Sequence, residues 1–284
     1  METENKAKNY ENVIFYHSSD NMKELPNNSA QVIVTSPPYN VGKYYENGYN
    51  DRQHYKKYKE MLRDVFDECF RVLKDDGIFF LNIANNAKGQ FKSHDIASTA
   101  TKSGFYLNDT IIWLKTNPIP ATGKIFTNRY EYVFLLTKNK FLDKAKFNKL
   151  EISNEYVGKV DKWGRARKQE WKDMGNVWTF PVVKQGWFGD DGHCAMYPAD
   201  LPRLAILCAS DEEDLVLDPF MGSGTTAQVA RNLNRKYVGY EINEGYKKAI
   251  DKKISKRPEY MMKIKSDIEK EISRKKVLQK TLAE

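Results

Sequence analysis

Thr35-Ser36-Pro37-Pro38-Tyr39-Asn40 follows the apolar run Val32-Ile33-Val34, so a buried strand is expected to open into a rigid, polar, aromatic turn. Two successive prolines fix φ and remove two backbone donors, leaving carbonyls that point outward with few internal partners. Ser36 adds a hydroxyl and Tyr39 a flat ring. A planar aromatic amine suits such a turn: its amino hydrogens can go to the Ser36 hydroxyl and the Pro37 carbonyl while its ring stacks on Tyr39. The lone pair of such an amine is delocalised into the ring. Accepting both hydrogens would turn it toward an electrophile, with positioning supplying most of the acceleration. The same hexapeptide also suits a plain proline-rich turn.

Far downstream, Leu215-Val216-Leu217 runs into Asp218-Pro219-Phe220-Met221-Gly222-Ser223-Gly224-Thr225-Thr226 and then Ala227-Gln228-Val229-Ala230. A strand, a glycine turn and a helix start in this order bring a ligand against a helix N-terminus, with glycine where backbone must approach closely. One G-x-G without a third glycine fits a dinucleotide poorly and an amino-acid-like cofactor better. The next strand, Lys236 to Tyr240, leads to Glu241, an acid placed to meet ribose hydroxyls.

Together the two motifs resemble the S-adenosylmethionine-dependent DNA amino-methyltransferases, in which D/N/S-P-P-Y carries catalysis and D-P-F-x-G-S-G-T-T binds the cofactor. With the catalytic motif first, the order resembles the circularly permuted β class of that family. The resemblance implies a doubly wound, mostly parallel α/β sheet of the Rossmann-like methyltransferase type with an inserted target-recognition region. It implies catalysis by Ser36, Pro37, Pro38 and Tyr39, and S-adenosylmethionine held by Asp218, Phe220, Gly222, Ser223, Gly224, Thr225 and Glu241. Asp20, in His17-Ser18-Ser19-Asp20, resembles the acid that contacts the cofactor adenine. Thr127 to Tyr132 resembles the strand-entry motif beside the catalytic pocket, and His193 to Pro202 the segment closing over the methionine end. In the family, S-P-P-Y goes mostly with cytosine N4 and D-P-P-Y with adenine N6. Ser36 therefore favours cytosine, with adenine N6 as the alternative. A cofactor-sensing DNA-binding protein without the chemistry is the alternative of another class. Double-stranded DNA is the implied partner, and a homodimer and a cognate restriction endonuclease are compatible with the resemblance.

Composition agrees. With 46 Lys and Arg against 38 Asp and Glu, the net charge of +8 favours a polyanionic partner. Between Lys138 and Lys172, 11 basic residues face 5 acidic ones and interleave with Phe141, Phe147, Tyr156, Trp163 and Trp171, a pattern suited to phosphate and base contacts. Lys43, Arg165, Arg167 and Lys168 are the candidate DNA contacts. The three cysteines, Cys69, Cys194 and Cys208, have neither paired nor metal-ligand spacing, so no metal site and no disulfide is expected. The N-terminus lacks an apolar segment and no apolar run reaches the ~18 residues of a membrane span, so a cytoplasmic protein without membrane contact is expected.

Strands are expected over Asn12 to His17, Gln31 to Val34, Ile78 to Ile83, Thr110 to Leu114 and Tyr132 to Leu136, with a short helix over Asn21 to Leu25. Tyr58, Leu62, Val65, Phe66, Cys69, Phe70 and Leu73 recur at helical spacing, and Ile96 to Ser103 and Leu201 to Ala209 also read as helix. This alternation predicts a sheet with helices on both faces. The organisation expected is a catalytic half over 1–137, a target-recognition insert over 138–190, a cofactor half over 191–250 and a basic helical tail over 251–284, continuous from Glu241 save for a break at Arg257-Pro258.

Overall fold

The computed structural model describes residues 9–42, 51–85, 91–155, 165, 171–183 and 196–256. In chain order the elements are β1 (Val13–Phe15), β2 (Ala30–Thr35), α1 (Tyr55–Val72), β3 (Leu73–Ile83), α2 (Lys92–Lys102), β4 (Tyr106–Lys115) and β5 (Tyr130–Thr137). Then follow β6 (Asn154–Glu155), β7 (Trp171–Lys172), β8 (Val177–Phe180), α3 (Asp200–Ala209), β9 (Leu215–Asp218), α4 (Thr225–Asn232), β10 (Lys236–Tyr240) and α5 (Lys247–Ile254). Strands β6 and β7 form a separate antiparallel pair. The others make one sheet in the order β1-β10-β9-β2-β3-β5-β4-β8. It is parallel from β1 through β3, while β5 runs antiparallel to both β3 and β4. The mostly parallel α/β architecture expected from the sequence is therefore present.

Period-2 alternation distributes the apolar strand residues to two cores. Ile33, Phe79, Leu81 and Ile83 pack against Leu62, Val65 and Phe66 of α1 and Ile96 and Ala100 of α2. Val32, Val34, Ile78 and Phe80 pack against Leu201, Leu204 and Ala205 of α3 and Val229 and Ala230 of α4. Neighbouring β2 and β9 thus send their following helices to opposite faces. In a doubly wound sheet this divergence opens a crevice at the carboxyl ends of the strands.

Three local expectations change. Asn21 to Leu25 is an irregular turn rather than a helix, because Arg71 Nη2 and Nη1 take the Met22 and Leu25 carbonyls (2.9 and 2.8 Å) and Pro26 follows. The region from 138 to 190 is not wholly a separate insert: β8 extends the main sheet beside β4, Trp113 stacks on Phe180 with centroids 5.2 Å apart, and Phe147 packs on the α3-side core. Instead of a continuous helix after Glu241, a single tight turn over Glu244–Tyr246 precedes α5, and Ile250 and Ile254 are buried against Met221 and Ala227. Residues 257–284, the rest of the expected tail, lie outside the described residues. Among the described residues no helix is long and apolar enough to cross a membrane.

Candidate active site

Side by side at the carboxyl edge, β2 and β9 are tied by one carboxylate. Asp218 is fully buried, and its Oδ1 accepts from the Thr35 hydroxyl (2.5 Å) and the Phe220 amide (3.1 Å). Its Oδ2 accepts from the hydroxyls of Thr226 (2.6 Å) and Tyr197 (2.9 Å). Burial pushes this carboxyl above its usual range, and the four donors oppose that shift. The last residue of β2 is thereby locked to the turn that follows β9.

Beyond Thr35 the turn is held from within. Tyr58 donates to the Pro38 carbonyl (2.6 Å), which removes that oxygen from use by a substrate. The Ser36 hydroxyl donates to Tyr39 Oη (3.1 Å), and Tyr39 donates to Glu131 Oε2 (2.8 Å) at the start of β5. Glu131 is paired with Lys115 (2.9 Å) and accepts from Asn82 Nδ2 (3.1 Å). Burial, and next the Glu131 carboxylate, push the Tyr39 phenol well above its usual range, so it stays a donor. A hydroxyl that donates into such a chain becomes a better acceptor, which strengthens Ser36 toward an amino hydrogen.

The loop that follows is stapled by Asp51, whose carboxylate accepts from the amides of Asn40 (2.7 Å), Val41 (3.0 Å) and Gly42 (3.0 Å). Asn40, in the left-handed region at φ 51, exchanges two hydrogen bonds with the Gln53 backbone and so orients the loop. Lys92 Nζ caps the Tyr39 and Asn40 carbonyls at 2.5 and 3.1 Å.

Ser36 and Pro38 share a cleft with Phe220, Gly222, Ser223 and Thr225. Its far end is walled by His17, Ser18, Ser19, Tyr240 and Glu241. The Glu241 carboxylate accepts from the amides of Gly222 (2.8 Å) and Asn243 (2.9 Å), and burial pushes its pKa up to about 7. At the α4 end, Lys253 Nζ donates to the hydroxyls of Ser223 and Thr225, 2.8 Å each. The cleft therefore offers a carboxylate suited to accepting from a diol, and two hydroxyls, those of Ser223 and Thr225, that an ammonium holds in place.

The Ser36-Pro37-Pro38-Tyr39 turn and the glycine turn after β9 thus open onto one cleft. A family model described as DNA methylase, covering N6 and N4 methylases, matches residues 30–252. The chain belongs to this family of DNA amino-methyltransferases. It is 33% identical over 249 residues to the type II methyltransferase M.BglII of Bacillus subtilis, covering 84% of this chain and 68% of that one. Its fold is similar to that of the cytosine-N4-specific PvuII DNA methyltransferase, at a TM-score of 0.66 and 17% identity, with 87% of each chain covered. A Thermus thermophilus protein solved in complex with S-adenosyl-L-methionine superposes at a TM-score of 0.61 and 21% identity, covering 87% of this chain and 95% of that one.

Within this DNA methylase the sequence-derived candidates fall into distinct places. Ser36 and Pro38 line the cleft, whereas Pro37 is buried and Tyr39 is half-buried against the α1-side core. Phe220, Gly222, Ser223, Thr225 and Glu241 line it too. Asp218 lies beneath it, and Asp20 is exposed one position beyond the lining Ser18 and Ser19. Gly224 sits at φ 80 just before α4, where an added Cβ would stand 3.0 Å from Ile250 Cγ2, so its freedom serves helix packing. Arg165 is exposed, while Lys43, Arg167, Lys168 and His193 to Ala195 lie outside the described residues. The sequence placed Glu131, within Thr127 to Tyr132, beside the expected pocket but did not show its bond to Tyr39 or its pairing with Lys115, and it gave no sign of Lys253, hidden in a run of lysines.

Proposed function

We propose that this DNA methylase transfers a methyl group from S-adenosylmethionine to the N4 amino group of a cytosine extruded from duplex DNA, as the modification partner of a restriction system. The cofactor supplies an electrophilic methyl on a sulfonium. Ser36 Oγ and the Pro37 carbonyl accept the two amino hydrogens and turn the nitrogen lone pair outward, with the Tyr39 ring alongside the base. Tyr39 and Glu131 hold Ser36 with its lone pairs facing the amine; as Ser36 takes the proton released on transfer it passes its own to Tyr39, and Tyr39 passes its own to the Glu131 carboxylate. Phe220, Gly222, Ser223, Thr225 and Glu241 hold the cofactor, Lys253 meets its carboxylate, and Asp218 fixes the two turns against each other. Target recognition belongs to the basic, aromatic region of 138–190, where Arg165 and, outside the described residues, Arg167 and Lys168 meet phosphates; Lys43, also outside the described residues, is a further candidate DNA contact.

The observation that carries this reading is the single cleft shared by Ser36 and Glu241. Serine, a neutral acceptor in place of an acid, favours cytosine. Duplex plasmid DNA incubated with methyl-labelled cofactor and digested to nucleosides should yield N4-methylcytosine. Recovery of N6-methyladenine would move the target to adenine, and no labelled base from a folded, cofactor-bound chain would favour the non-catalytic DNA-binding reading.

Glu241 makes cofactor binding pH-dependent. Its carboxylate form accepts from ribose hydroxyls, and with a pKa near 7 that form is lost as pH falls. Affinity measured calorimetrically should be constant at alkaline pH and weaken below about 7, approaching about tenfold per pH unit. Glu241→Gln should bind more weakly and flatten the profile; an unchanged profile would remove Glu241 from the ribose.

A further inference from the structure

The connection from β4 to β5, residues 116–129, carries an apolar tip that nothing in the catalytic reading uses. Phe126 is fully exposed, Ile119 is 78% exposed and Ile125 56%. Leaving large apolar groups together in water is unfavourable, and such patches mark contact surfaces. The tip is framed. Lys115 donates from its amide to the Arg129 carbonyl (2.7 Å), and the Ala121 amide donates to Thr127 Oγ1 (3.1 Å), closing the chain beneath Ile125 and Phe126. On the other flank, Asn117 exchanges hydrogen bonds with the Val182 backbone (2.7 and 3.3 Å).

The frame is continuous with the catalytic turn. Lys115 and Glu131, at the two roots of the connection, form the ion pair that receives the Tyr39 hydroxyl. Asn128 Nδ2 donates to the Asn85 carbonyl (3.2 Å), just past the end of the strand that brings Asn82 to Tyr39. Lys124 and Arg129 are the charged residues of 116–129, and no acid interrupts them. An apolar tip between two cations, fixed to the ion pair that holds the Tyr39 hydroxyl, matches a surface whose rim is phosphate and whose interior is stacked base.

We infer that Ile125 and Phe126 form a wedge that enters the duplex at the target pair and occupies the gap left by the extruded base, with Lys124 and Arg129 on the flanking phosphates. The inference rests on the DNA-methylating reading above and adds a contact that the reading does not need. Extrusion costs free energy, least for a base that is already unpaired. A wedge should therefore matter for a paired target and little for an unpaired one.

The test uses the full chain and a duplex bearing the sequence that the wild type methylates in plasmid DNA, with the target either paired or opposite an abasic site. Phe126→Ala, and Ile125→Ala with Phe126→Ala, should slow methylation of the paired duplex about tenfold or more, the size of one lost stacking contact. They should stay near the wild-type rate opposite the abasic site, with cofactor affinity unchanged. In a second readout, 2-aminopurine at the target position should brighten with wild-type protein and much less with the variants. Equal rates for variant and wild type on the paired duplex, or equal slowing on both duplexes, would overturn the wedge alone. A wild type that methylates no duplex would overturn the enzymatic reading and the wedge with it.

Discussion

Ser36→Ala is expected to slow methyl transfer by about 10²–10³-fold, the usual cost of removing one group aimed at a developing charge. Cofactor affinity should hold, because the truncation leaves Phe220, Gly222, Ser223, Thr225 and Glu241 of the cleft unchanged. Duplex binding should hold as well, since a truncated hydroxyl removes no phosphate contact. The expected signature is a fall in kcat with little change in KM for DNA, the mark of an interaction made in the transition state. Glu131→Gln should give a smaller fall of the same kind: the amide still fills the space but no longer draws the Ser36–Tyr39 chain toward a carboxylate. A Ser36→Ala chain as fast as the wild type would take the amine away from this turn.

The second large effect concerns stability. Asp218→Ala removes the acceptor of three hydroxyls and one amide at a fully buried site, leaving Thr35 and the Phe220 amide short of a partner and Tyr197 and Thr226 with only each other. A buried polar group without a partner costs about 1–3 kcal/mol. Because the small hydroxyls can turn to find other acceptors, a net loss of about 3–5 kcal/mol is expected, a large share of a typical domain's ~5–15 kcal/mol. Urea unfolding followed by circular dichroism measures it. Thr35→Val, which takes away one donor and keeps the volume, should cost only about 1 kcal/mol. A loss below about 1 kcal/mol in Asp218→Ala would mean that the two turns hold together without the carboxylate.

Asp218 also shows how far the sequence could be read. Its place at a strand end before a glycine turn marked it as a cofactor residue, and its neighbours Phe220, Gly222, Ser223 and Thr225 do line the cleft. Whether an acid at a strand end faces ligand or interior depends on what stands on the next strand, and that neighbour is Thr35, far away in the chain. The same holds for Tyr39. The flat ring and hydroxyl were legible; that the hydroxyl turns inward to Glu131, and so governs Ser36, required β5 to lie antiparallel beside β3. Phe147 looked like a nucleic-acid contact because it alternates with lysines, yet a core lies beneath it.

The amino-acid sequence by itself determined the local pieces: a proline-rich turn carrying a serine hydroxyl and a tyrosine ring, a glycine turn between strand and helix, an acid at the following strand end, and a surplus of positive charge. These are local, because proline, glycine and strand periodicity act within a few residues. Tertiary structure alone decided that β2 and β9 are neighbours, so that the two turns share one cleft, that Glu131 holds the Tyr39 hydroxyl, and that Lys253 holds those of Ser223 and Thr225. Those pairings join residues far apart in the chain through buried hydrogen bonds, and their partners are selected by the packing of the whole sheet rather than by any local pattern.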